Sequence, residues 1–172
     1  MVDGRNILTT IVQSAVVDLF REYSIAVAPV PRRASSSEPN ESYYGSTISF
    51  SEKSMTGTLN LFVPEAVLML AKQTAGPGFK VDDFTRELVN QLLGRIKNRM
   101  LTYQINLKVG LPRLLAQTTF ESRQDPKLES LEFSFRGLRG EVRVSLYGKF
   151  NYAAIVYSGT HIAGAEGDVI LF

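Results

Sequence analysis

Asp83-Phe-Thr-Arg-Glu-Leu-Val-Asn-Gln-Leu-Leu-Gly-Arg-Ile-Lys-Asn-Arg-Met100 reads as one amphipathic helix. At a helical period, Phe84, Leu88, Val89, Leu92, Leu93, Ile96 and Met100 fall within one half of the circumference. The opposite half carries Glu87, Asn90, Gly94, Lys97 and Asn98. Glu87 and Asn90 are three apart and therefore surface neighbours, and Gly94 continues their strip. A glycine inside a helix costs about 1 kcal/mol relative to alanine. It also clears a place where another backbone can approach closely. Upstream, Gly76-Pro77-Gly78 interrupts the chain, and Asp82 or Asp83 is the expected cap of the free amides.

The rest of the composition narrows the field. A chain of 172 residues, 44% hydrophobic, makes one domain with a substantial core, so 1–172 is read as a single unit. The net charge of +2 points to no particular partner, the positive charges are spread along the chain, and no nucleic-acid signature is present. There is no cysteine, which removes disulfides, thiol nucleophiles and thiolate metal sites. A single histidine, His161, excludes a multi-histidine zinc centre and gives a Ser-His-acid triad little support. His161 is read as an ordinary surface residue. No apolar run is long enough to span a membrane, and no signal peptide is visible, so a soluble cytoplasmic protein is expected.

Ile7, Leu8, Ile11, Val12, Ala15, Val16, Leu19 and Phe20 recur at three- and four-residue steps and define another helix, with Asp3 as its cap. Its polar face holds Thr10, Gln13, Ser14, Asp18 and Arg21. Residues 29–41 shift to Pro, Arg, Ser and Glu and read as a flexible loop. Thr47–Phe50 and Gly57–Phe62 form a strand pair, with Tyr43-Tyr44 a strand end. Pro64 suits the first turn of a helix whose apolar side is Ala66, Val67, Leu70 and Ala71. After the long helix, Tyr103 covers its end, and Ile105, Leu107 and Val109 alternate as a half-buried strand. Leu131, Phe133 and Phe135 do the same. Arg136-Gly-Leu-Arg-Gly140 turns the chain, and Val142, Val144 and Leu146 return as the second arm of a hairpin. In the segment 150–172, Ala153–Tyr157 and Val169–Phe172 are candidate strands. The sum is an α+β design, a mainly antiparallel sheet backed by long amphipathic helices.

Asp83, Glu87 and Asn90 resemble the active-face motif of the CheX/CheC chemotaxis phosphatases: an Asp or Ser, three residues, a Glu, two residues and an Asn. Gly94, Lys97, the Leu111-Pro112 turn and the upstream Gly57-Thr-Leu-Asn-Leu-Phe-Val-Pro64 stand in the family's order as well. The motif occurs here once, as in the single-site CheX-like type. The resemblance implies the family fold and hydrolysis of the aspartyl phosphate on a CheY-like receiver domain of a response regulator. It implies Asn90 as the residue that places the attacking water and Glu87 as the anchor on the receiver's active-site lysine. A carboxamide suits the first role because it offers both an acceptor and donors. Positioning alone is worth a great deal in phosphoryl transfer. Asp83, Arg86, Gly94 and Lys97 are the candidate partner-binding residues. No cofactor or metal of its own is expected, magnesium being carried by the receiver.

The plainer reading stands beside this one. A Glu and an Asn opposite an apolar stripe are where any solvated helix would put them, and Lys97 and Arg86 serve solubility equally well. Gly94 could pack against a neighbouring helix. Only the ordered set from about Ile7 to Leu146 lifts the pair above that background. Two departures from the resemblance are Arg86, where relatives commonly have a small residue, and the extra segment 150–172. A non-catalytic receiver-binding or motor-switch-like module is the alternative, since the flagellar switch protein's middle domain resembles this fold without the pair. The resemblance, with the apolar ending Val169-Ile-Leu-Phe172, further suggests a homodimer joined across sheet edges.

Overall fold

A computed structural model describes residues 3–31, 42–116, 125 and 127–157. Helix α1 spans Gly4–Glu22, and the Asp3 carboxylate accepts from the Arg5 amide at 3.1 Å, capping it as expected. Leu8, Ile11, Val12, Ala15, Val16, Leu19 and Phe20 are buried along one stripe. Strand β1 is Val27–Val30, β2 Tyr43–Ser51 and β3 Met55–Pro64. Helix α2 covers Glu65–Ala75 and α3 Val81–Met100, the latter followed by a short 3-10 turn at Leu101–Tyr103. Short strands β4, Lys108–Val109, and β5, Arg113–Leu115, lead to the long hairpin of β6, Glu129–Gly137, and β7, Gly140–Phe150.

These strands form one seven-stranded sheet in the order β1-β6-β7-β3-β2-β4, with β5 also on β2. Every pairing in it is antiparallel. The α+β, mainly antiparallel reading is therefore the observed architecture. The hairpin turns where it was expected: Gly137 pairs with Gly140, and Gly140 takes φ 131°, a conformation closed to most side chains. Along β7, Val142, Val144 and Leu146 are buried on the helix side while the intervening residues are less so. Val27, Ile48, Phe50, Met55, Leu59, Leu61, Val63, Leu131 and Phe135 complete the sheet's share of the core.

Helix α3 lies on this core with Leu88, Val89, Leu92, Leu93, Ile96 and Met100 no more than 2% exposed. Its axial position is fixed by a buried polar link: the Ser46 hydroxyl of β2 donates to the Thr85 carbonyl at 2.9 Å. Thr85 Oγ1 in turn donates to the Val81 carbonyl at 2.7 Å. Helix α1 runs antiparallel beside α3. Glu22 pairs with Arg95 at 2.5 Å, Asp18 with Arg99 at 2.6 Å, and Arg99 also donates to the Ser14 hydroxyl at 3.2 Å.

Several local expectations are corrected. Helix α3 begins at Val81, with Lys80 at the N-cap and no side-chain cap, so neither Asp82 nor Asp83 caps it. The half-buried Val81 belongs to the packed stripe and draws the helix start upstream. The two aspartates sit in the first turn, where they complement the helix dipole. Pro29 and Val30 of the expected 29–41 loop belong to β1, and residues 32–41 lie outside the described residues. β1 is an edge strand, where proline's missing N–H is tolerated. In α2 the buried residues are Val67, Leu68 and Ala71, and Ala66 is exposed. Pro64 is its N-cap and not a first-turn residue. Only Lys108–Val109 of the strand expected at 105–109 pairs, although Ile105 and Leu107 are buried. Ala153–Tyr157 is not a strand: Tyr152–Ala154 forms a 3-10 turn and Ile155 plugs into the core. His161 and Val169–Phe172 lie outside the described residues.

The two sides of α3 should answer differently to truncation. Leu92→Ala is expected to cost about 2–5 kcal/mol of unfolding free energy, as a deleted core side chain does. Asn90→Ala should stay within about 0.5 kcal/mol of the parent. Urea unfolding of the two variants checks this, and a large loss for Asn90→Ala would contradict it.

Candidate functional site

The stripe of α3 opposite the core is Asp83, Glu87, Asn90, Gly94 and Lys97. At 3.6 residues per turn these five lie within about 80° of arc, and they run for about 21 Å along the axis. Asp83, Glu87 and Asn90 are exposed, Gly94 and Lys97 half-buried. The structure thus places all the candidate site residues on one outward strip, with Arg86 on its flank. The Arg86 guanidinium folds back onto the Asp83 carboxylate one turn earlier, so the two charges satisfy each other. The bulk of Arg86 is therefore directed along the helix.

Gly94 is the most informative position. A Cβ built there meets nothing within 4 Å. No helix packs on Gly94 among the described residues, which removes the packing explanation for it. The chain carries a residue that costs about 1 kcal/mol in a helix interior with no internal contact that requires it. A flat place on an otherwise side-chain-covered helix is what an approaching backbone needs.

Glu87 is held from the side. Gln91 Nε2 donates to Glu87 Oε1 at 2.9 Å, and the Tyr23 hydroxyl at the end of α1 donates to Gln91 Oε1 at 3.1 Å. Burial pushes the Tyr23 phenol above its ordinary value, the bond to Gln91 pulls it back, and Glu87 and Glu22 add to the rise. The hydroxyl therefore remains a neutral donor across the physiological range. Sequence reasoning missed both residues. The i, i+4 spacing of Glu87 and Gln91 is a usable signal. Tyr23 lies 68 positions from Gln91, and no spacing rule reaches it. The Asn90 side chain makes no hydrogen bond among the described residues, so its carboxamide is available to a molecule docking from outside.

Among the described residues no three His, Cys, Asp or Glu side chains are grouped so as to hold a metal ion. Nor is any helix among them long and apolar enough to cross a membrane.

No protein-family model matches the chain, and no curated protein matches it in sequence. Solved structures do match. The chemotaxis protein CheX from Vibrio vulnificus superposes with a TM-score of 0.69 at 12% identity, covering 83% of this chain and 96% of that one. The CheX–CheY–BeF3–Mg2+ complex from Borrelia burgdorferi gives 0.61 at 12% identity, covering 87% and 99%. The FliM middle domain from Vibrio alginolyticus gives 0.55 at 8% identity, covering 87% and 95%. The chain has the fold of the CheC/CheX chemotaxis proteins, and the FliM middle domain shares it.

Gly94→Ala should raise the unfolding free energy by about 1 kcal/mol, because alanine is the better helix former and its methyl group meets open space. Chemical denaturation of the pair of proteins measures it. No gain, or a loss, would mean that the glycine serves the fold itself.

Proposed function

We propose that this chain is a phosphatase for the aspartyl phosphate of a CheY-like receiver domain, with the outer strip of α3 as its docking and catalytic face. The observation that carries the proposal is the coincidence on that strip of an exposed Glu87–Asn90 pair and a glycine with open space above it. The fold supports it, since a protein of the same fold has been captured with CheY, BeF3 and Mg2+. The FliM likeness keeps a purely binding role as the alternative, and turnover separates the two.

Hydrolysis of an acyl phosphate needs a water in line with the phosphorus and neutralisation of the equatorial oxygens. The receiver supplies its own magnesium and lysine for the second task, so this chain supplies no metal. Asn90 enters the receiver's site and holds the water, its carbonyl oxygen accepting from the water and its amide donating to a phosphoryl oxygen. Glu87, a helical step away, pairs with the receiver's lysine and fixes the register of docking. Removing water around that pair makes its geometry matter more than its nominal charge energy. Gly94 lets the receiver's backbone reach the helix, with Lys97 and the Asp83–Arg86 pair at the rim.

Asn90→Ala should remove nearly all acceleration of acyl-phosphate decay, while Glu87→Lys should weaken binding and turnover together. Decay of the labelled receiver, with magnesium present and with it chelated, provides the measurement. Wild-type turnover in Asn90→Ala would refute the role of the amide. Tight binding of the receiver without any acceleration by the wild-type chain would favour the binding-module alternative.

We further propose that the chain is a homodimer joined across sheet edges. Strand β1 ends the sheet on one side among the described residues. An uncovered edge is a template for a further strand. Light scattering on the full chain should give twice the chain mass, and a monomer would overturn the proposal.

A further inference from the structure

Glu87 is an exposed glutamate that is nevertheless tied down, and its tie crosses from one helix to another. Only Oε1 of its carboxylate is engaged: Gln91 Nε2 donates to it at 2.9 Å, and Oε2 has no hydrogen bond among the described residues. A carboxylate accepts and does not donate, so it takes the NH2 end of the Gln91 amide, and the Tyr23 hydroxyl holds the other end by donating to Gln91 Oε1 at 3.1 Å. Tyr23 is itself fixed. It is the C-cap of α1, and its ring stands edge-on against Phe84 at 5.1 Å and 88°. Phe84 is backed by Phe79 at 5.0 Å.

We infer that Tyr23 and Gln91 are positioning residues for Glu87, a two-step relay that presents its carboxylate to the partner in a fixed orientation with Oε2 open. The inference rests on the reading of Glu87 as the docking anchor. The ion pairs Glu22–Arg95 and Asp18–Arg99 already hold α1 and α3 together, so the relay is not needed for that purpose. Its distinctive effect is on the side chain of Glu87. Immobilising a rotamer-rich side chain during docking is costly, and one ordered beforehand escapes part of that cost.

The charges around the relay agree with this role. Glu22 and Glu87 both face the Tyr23 hydroxyl, and Arg95 offsets them. A neutral phenol and a neutral amide therefore transmit orientation to Glu87 without neutralising it.

The test uses the full chain with Tyr23→Phe, which keeps the ring, and Gln91→Met, which keeps the length. The side-chain rotamers of Glu87 are read by NMR in the free protein. Affinity and kcat are read with a Mg2+- and BeF3-loaded receiver and with the phosphorylated receiver, respectively. Both variants should show rotamer averaging at Glu87 and about three- to tenfold weaker affinity, the scale of one newly immobilised side chain, with kcat at saturation retained. In a Glu87→Ala background neither substitution should weaken affinity further. A single Glu87 rotamer in both variants, or an equal loss with and without Glu87, would overturn the relay. If the wild-type chain does not bind the receiver at all, the phosphatase reading fails, while the rotamer measurement still decides the relay.

Discussion

A helix with one apolar stripe can bury only one face, and α3 buries Leu88, Val89, Leu92, Leu93, Ile96 and Met100 almost completely. Each of those side chains contributes about 1.5–3 kcal/mol by leaving water. Rotating α3 to hide Glu87 or Asn90 would bring that stripe into solvent, so the orientation of the outer strip is set by the core. The Ser46–Thr85 link then fixes where along the sheet the strip falls. It is a buried hydroxyl on a backbone carbonyl, and sliding α3 by one turn would take that acceptor away from the hydroxyl. The outer strip is thus positioned by contacts that lie wholly beneath it.

Beside the core, a second system of contacts runs between α1 and α3. Tyr23 with Gln91, Glu22 with Arg95, and Asp18 with Arg99 form a polar ladder along two antiparallel helices. Its members sit on the flank of α3, between the buried stripe and the outer strip. This explains how a helix rich in arginine remains open on one side: Arg95 and Arg99 are drawn toward α1, and Arg86 toward Asp83. What is left facing outward is polar and includes a glycine.

Much of this was legible in the amino-acid order. The apolar periods of α1 and α3 and the alternation of the β6–β7 hairpin identify their own buried faces, because a single periodic stripe has one way to be buried. The outer position of Glu87, Asn90 and Gly94 followed from the same periodicity. What was not legible depended on partners distant in sequence. Ser14 and Asp18 read as a solvated face of α1, whereas they meet Arg99 some eighty residues later. Pro29 spoke for a loop, yet the edge of a sheet accommodates it, and only the topology shows that β1 is an edge. The apolar run at 153–157 suggested a strand, but the chain turns at Tyr152–Ala154 to set Ile155 into the core. The start of α3 was misplaced because Asp82 and Asp83 look like caps, while the burial of Val81 extends the helix past them.

The most direct measurement is a footprint. With the chain isotopically labelled and a receiver domain held in its activated form by Mg2+ and BeF3, amide and side-chain shifts report where the two proteins meet. The expected result is a contiguous set of changes along Asp83–Lys97, strongest at Glu87, Asn90 and Gly94 and weakened by Glu87→Lys. A footprint centred on the opposite face of the sheet, with the α3 strip unchanged, would contradict the assignment of that strip as the working face.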